Sequence, residues 1–297
     1  MPSLKEVRNR INSVRSTQQI TKAMKMVAAA KLRKAQDNIM QMRPYSLRLQ
    51  GILNNVIASE EVQNDENPFA NERPVNKVLV VVITSDRGLC GSFNSNVMKA
   101  AVALIDGKYA EQKKAGAVTV MSIGRRGREF FTRRNYNVIE TYTELLLTLR
   151  FEKVRAAAEF AMDGFLRRDF DVVEIVYNEF KNVATQVVRS SQFLPLTSLP
   201  STSVEKSVST IDYLYEPSNQ VITQELLPKS LKITFYKALL ESFASEHGAR
   251  MTAMDKATDN AGELLKELKL TYNRSRQASI TKEILEIVGG AEALSNG

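Results

Sequence analysis

The sequence predicts an α/β protein: a long antiparallel coiled coil of the N- and C-terminal helices, with a Rossmann-like α/β domain inserted between them. Three observations predict it. The first is a stretch from about Ile222 to Leu294 with a three/four alternation. It runs from Ile233 through Tyr236, Leu240, Phe243, His247, Arg250, Met254, Ala257, Ala261, Leu265, Leu268, Tyr272 and Ser275 to Ser279. A mean spacing of ~3.5 residues is the period of a coiled-coil seam. The second is the same spacing at the other end of the chain. Leu4, Val7, Ile11 and Val14 are followed, after a polar interruption at Gln18 and Thr21, by Met24, Ala28, Leu32, Ala35, Ile39 and Met42. The third is the change of pattern between them, where β-branched apolar runs alternate with helical segments.

Taken in order, residues 1–57 read as the N-terminal coiled-coil helix, with Pro2 and Ser3 suiting its start. Residues 58–76 are acidic and polar, broken by Pro68 and Pro74, and read as a linker. The α/β domain is expected over 77–200. Its strands are 77–84, 118–124, 137–142, 171–180 and 183–196, the last two adjacent across a turn at Lys181 and Asn182. Its helices run from Ser95 to about Ala115, from Arg125 to Arg134 and from Phe151 to Arg168. Residues 201–217 form an exit linker, and 218–297 the C-terminal coiled-coil helix. Pro228 lies near that helix's start and predicts either its first turn or a kink. At 1.5 Å per residue the two helices would span about 80 and 105 Å, too long to lie on a domain of this size. Leu264, Leu265 and Leu268 are expected to pack on the N-terminal helix.

The chain has 297 residues, one cysteine and one histidine. Cys90 alone rules out an internal disulfide and suits a reducing compartment. His247 on the seam reads as a packing residue, since a zinc site would need companions. The longest apolar run, Val78 to Ile83, is far short of the ~20 residues needed to cross a bilayer, and the charged, periodic N-terminus does not read as a leader. The net charge of +8 is uneven. Eight cations lie between Arg8 and Lys34 with no acid among them. Such a helix suits an acidic protein surface, nucleic acid or anionic lipid, and a solvated face is the plainer alternative. No aromatic residue interleaves the cations, which counts against nucleic acid.

No phosphate loop of either common type is present; Gly88 and Gly91 in DRGLCGS have the wrong spacing. GRRGRE, 124–129, could hold a phosphate, although a basic turn opening a helix is the plainer reading. Cys90 near a helix start would favour a thiolate, but the histidine base it needs is absent from its neighbourhood. Asp86 beside Arg87 reads as a cap and ion pair. Catalytic, cofactor and metal residues are therefore all expected to be none. Three functions remain at this stage: a mechanical coupling subunit, a nucleic-acid binder with a basic arm, and an α/β enzyme with a dimerisation coil.

Three segments carry a resemblance. RNRINSVRSTQQITKAMKMVAAAKLRKAQ, TSDRGLCGSFN and the closing ITKEILEIVGGAEAL resemble, in that order, the N-terminal helix, the first α/β loop and the C-terminal signature of the gamma subunits of the rotary F-type ATP synthases, bacterial type. The resemblance covers nearly the whole chain. It implies a non-catalytic central rotor shaft that couples ion-driven rotation to ATP synthesis or hydrolysis and holds no cofactor. The partners it implies are the alpha and beta subunits of the catalytic ring, the epsilon subunit and the membrane c-ring, with no nucleic acid and no direct membrane insertion. The implied place is peripheral, on the cytoplasmic face of the bacterial plasma membrane. Position by position it implies beta contact at Met24 and Lys25, ring contact at Arg250, Gln277, Thr281 and Glu283, and a foot on the c-ring at Tyr213, Tyr215 and Glu216. Arg250 and Gln277 are expected to act on the surrounding ring rather than on this chain, with no acid cluster near them. Beyond Tyr272 the C-terminal helix is expected to outrun its partner. Its tip residues Ile280, Ile284, Leu285, Ile287, Val288 and Leu294 would need a socket made by other subunits.

Overall fold

The computed structural model describes residues 3–58, 68–71, 73–183, 185–196 and 219–295. Two helices dominate, α1 (Leu4–Ala58) and α6 (Asn219–Ser295). Between them lie β1 (Val78–Ile83), α2 (Phe93–Lys108), α3 (Ala110–Lys114), β2 (Val118–Ile123), α4 (Arg125–Thr132), β3 (Asn137–Ile139), α5 (Phe151–Leu166), β4 (Val172–Phe180) and β5 (Gln186–Leu194). The chain divides into two compact units, Met1–Ala28 with Met251–Gly297, and Ala29–Arg250.

In the first unit the seam spacing sets which side chains are covered. Val7, Ile11, Thr21 and Ala28 of α1 and Met254 and Ala261 of α6 are buried. Arg8 meets Tyr272, Thr21 meets Thr258 and Lys25 meets Asp255, so one number falls as the other rises and the helices are antiparallel. The polar interruption is a layer rather than a defect. The Thr21 and Thr258 hydroxyls lie 2.8 Å apart, and the Gln18 amide donates to the Thr258 carbonyl. Farther along α6, Leu265 and Leu268 are half-buried. Leu264 is exposed, which corrects its expected packing: it falls one position off the three/four spacing.

The second unit holds the sheet, in the order β3-β2-β1-β4-β5. β1, β2, β3 and β4 run parallel and β5 returns antiparallel to β4. Leu79, Val81 and Ile83 point to one face, under Ala157, Ala161 and Phe165 of α5. Val78, Val80 and Val82 point to the other, under Val97, Ala101 and Ile105 of α2 and Phe131 of α4. Burial on both faces is why β1 reads as an unbroken apolar run.

Three differences from the sequence expectation have physical causes. The start of α6 is not only a coil strand: Leu231, Phe235, Ala238 and Leu239 belong to the sheet's own core, with Phe193 stacked edge-on against Phe235. Part of the 58–76 stretch is anchored rather than free. Phe69 is buried and Arg73 pairs with Asp171 while lying over the Phe165 ring. Pro228 falls inside α6 rather than opening it, and Pro44 likewise lies inside α1. Next to them Leu49 of α1 packs with Leu227 and Ile233 of α6, so tertiary contacts hold the helices where each proline removes a hydrogen bond.

Candidate functional site

A nucleotide-binding sheet of this topology takes its ligand at the carboxyl end of β1, where the strand order reverses. Here that end is filled by the chain itself. Thr84 and Ser85 are fully buried. The Ser85 amide donates to Asn94 Oδ1 at 2.9 Å, and the Ser85 hydroxyl donates to the Arg87 carbonyl at 2.7 Å. Arg250 of α6 then reaches in. Its guanidinium donates to Glu246 and to the carbonyls of Arg87 and Gly88 at 3.0 and 3.4 Å, and approaches His247 Nδ1 at 3.3 Å. The expectation for Arg250 is of no acid cluster nearby; a single acid, Glu246, lies one helical turn away, and both side chains are buried. Sequence spacing could have shown this pair, since i,i+4 residues share a helix face.

The GRRGRE turn is closed in the same way. The amides of Arg125, Arg126 and Gly127 donate to Asp86 Oδ1, the Ser85 carbonyl and Thr84 Oγ1. With its first three amides occupied, the α4 N-terminus offers none of them to a phosphate. A Cβ at Gly124, where φ is 99°, would lie 2.1 Å from the Thr84 carbonyl oxygen. The glycine is there for that close approach.

Burial governs the titration of this region. It pushes the Cys90 thiol up, with the Ser85 hydroxyl and then Arg250 only partly opposing it, so the thiolate expected near a helix start is not favoured. Burial raises Glu246 even with Arg250 beside it, and raises Asp86 against the Arg125 amide. His247, stacked edge-on against Phe243, is pushed down to about 3, first by burial and then by the nearby Arg250 and Lys31. It is a neutral packing residue at ordinary pH. An unfolded histidine takes its proton near pH 6.5, so acid favours the unfolded chain, and this share of stability falls as pH drops from about 6.5 towards 3. His247→Leu should flatten the pH dependence of the denaturation midpoint in that window. Parallel curves for the two proteins would contradict it.

Met24, Lys25, Gln277, Thr281 and Glu283 lie in the first unit. Met24 is half-buried on the seam, and Lys25 is tied to Asp255, so part of the positive charge of α1 is met within the chain. Pointing outward instead are Ile20, Met26 and Val27, apolar and more than half exposed on a basic helix. The sequence reading missed them, although they fall off the seam spacing and could have been found that way. Gln277, Thr281 and Glu283 are exposed. Thr281 Oγ1 donates to the Gln277 carbonyl, and the Ser279 hydroxyl to Glu283. Around them Ile280, Ile284, Leu285, Ile287 and Val288 are all exposed, between 48% and 71%. The side chain of Leu294, and all of Tyr213, Tyr215 and Glu216, lie outside the described residues. Among the described residues no group of His, Cys, Asp and Glu could hold a metal ion, and no helix is long and apolar enough to cross a membrane.

A sequence family described as ATP synthase matches residues 3–294. The ATP synthase gamma chain of Cytophaga hutchinsonii is 59% identical over 100% of both chains. The chain belongs to the ATP synthase gamma-chain family. The gamma chain of Amoebophilus asiaticus is 51% identical, over 99% of this chain and 100% of its own. Among solved structures, the central stalk and c-ring of the Tetrahymena thermophila mitochondrial ATP synthase holds a chain 25% identical, with a TM-score of 0.54, over 80% of this chain and 99% of that one. With the gamma-chain family comes the role, that of the central rotor shaft of an ATP synthase. The antiparallel α1–α6 pair and the five-stranded sheet are the gamma-chain fold.

Proposed function

We propose that this rotor shaft transmits rotation and does no chemistry of its own. It couples ion-driven rotation of a membrane ring to ATP synthesis or hydrolysis in a surrounding ring of alpha and beta subunits. The observation that carries this is the bare tip of α6: five large apolar side chains in one run, all exposed. Fully burying each contributes about 1.5–3 kcal/mol, a strong drive into a socket made by other subunits. The filled crevice at the end of β1 supports the absence of nucleotide chemistry.

In this reading Met24 and Lys25 lie where α1 approaches a beta subunit, with Ile20, Met26 and Val27 supplying the apolar contact. Gln277, Thr281 and Glu283 meet the surrounding ring. Arg250 joins them as a ring-contact position while also bracing the chain internally through the Arg87 and Gly88 carbonyls. Tyr213, Tyr215 and Glu216, in the 201–217 foot segment, meet the c-ring, and the epsilon subunit joins the same stalk. The working division is a helix over 1–57, linkers over 58–76 and 201–217, the α/β domain over 77–200 and a helix over 218–297. The shaft works peripherally on the cytoplasmic face of a bacterial plasma membrane, without entering the bilayer and without nucleic acid.

Gln277→Leu tests the reading. An exposed change of this kind should leave the unfolding free energy of the purified chain within about 0.5 kcal/mol of the parent. ATP turnover of the assembled complex should nonetheless fall. Equal turnover would remove Gln277 from the contact set, and micromolar ATP binding by the chain alone, measured calorimetrically, would defeat the non-catalytic reading.

A further inference from the structure

Helix α4 treats its cations in two ways. Arg125, Arg126 and Arg128 each hold a carboxylate, on Glu144, Glu129 and Glu140. Arg133 and Arg134, just past the helix end, and Lys99 on the facing helix α2, have no ion-pair partner among the described residues. All three are exposed. A helix C-terminus favours a nearby cation, but three unpaired cations exceed what its dipole asks for.

These cations rim a groove. Two cavities of about 460 and 400 Å³ lie between α2 and α4 and share Ser95, Met98, Phe130 and Arg134. The floor is apolar. Met98, Val102 and Phe130 are half-buried and packed on the sheet's core, and the Arg134 guanidinium lies 4.1 Å above the Phe130 ring. The rim also carries Glu129 and Asp106, but Arg126 and Lys113 hold them, so the charge left unpaired is positive. A half-buried apolar floor with an arginine-rich rim is the make-up of a protein interface. A free phosphate would gain nothing from Met98 and Val102, and a flat bilayer surface does not enter a concave groove.

We propose that the α2–α4 groove docks an acidic segment that also carries apolar side chains, belonging to another subunit of the assembled complex. The proposal rests on the rotor-shaft reading, because that reading supplies the neighbouring subunits. Opposite charge fixes the orientation of the segment, and its apolar residues cover the floor.

The experiment uses the purified complex with a photoreactive benzoylphenylalanine in place of Ala103, an exposed residue lining the second cavity. Irradiation should give one inter-subunit adduct, and mass spectrometry should map it to a segment containing both carboxylates and apolar side chains. Arg133→Glu with Arg134→Glu should lower adduct yield about tenfold. Arg133→Gln with Arg134→Gln should lower it in the same direction, which guards against a charge-reversed chain that misfolds. A complex that forms without an adduct, an adduct on lipid or on a segment lacking acids, or a yield indifferent to both variants would overturn the docking surface alone. A chain that purifies free of other subunits would overturn the rotor reading, and the groove's partner with it.

Discussion

Arg250→Ala should lower the unfolding free energy of the chain by about 3–5 kcal/mol, the usual cost of removing one member of a buried ion pair. Arg250 and Glu246 have side chains only 11% and 8% exposed, so solvent cannot replace the lost guanidinium. Glu246, already raised by burial, would be left without its opposing charge. The carbonyls of Arg87 and Gly88 would lose donors in the same step. The measurement is the denaturant midpoint, with amide exchange across residues 85–92 as a local readout. Adding Glu246→Gln should recover part of the loss, because the orphaned charge goes with it. A midpoint within experimental scatter of the parent would mean that the pair is not a brace. Arg250→Lys should recover little, since one ammonium cannot serve a carboxylate and two carbonyls in the guanidinium's planar geometry.

Gly124→Ala should be nearly as severe, at about 3 kcal/mol or more. The φ of 99° is strained for any side chain, at a cost of about 1–3 kcal/mol. The new methyl would also meet the Thr84 carbonyl 2.1 Å away, and relieving that clash must move β1 or α4, at about another 1–3 kcal/mol. The readout is thermal unfolding of the purified chain, with Gly107→Ala as the control, since no atom lies within 4 Å of a methyl there. If Gly124→Ala melted like Gly107→Ala, the close approach of β1 and α4 would be wrong.

Much of this architecture was legible because period and burial coincide. Residues at three/four spacing on α1 and α6 are the covered ones, and the apolar run Val78–Ile83 is a central strand. What escaped reading was set by tertiary contact. Nothing local marks Phe235 as a sheet-core residue rather than a coil residue, since both uses want a large apolar side chain. Nothing local shows that the Arg125, Arg126 and Gly127 amides are taken by residues 84–86, some forty positions earlier. The exposed tip at Ile280–Val288 was legible for the opposite reason, as an apolar run with no seam left to hide it.

The hydroxyl layer at Thr21 and Thr258 limits axial slip. Two smooth apolar helices can slide past each other by one heptad and still interleave, and torque applied to one would then be lost as creep. Moving the pairing by seven residues sets Thr258 against Val14 or Ala28, neither of which offers its side chain a hydrogen-bond partner. Gln18 would lose the Thr258 carbonyl in the same movement. A single polar rung of this kind gives up some apolar burial, and in return lets a two-helix rod behave as one keyed axle.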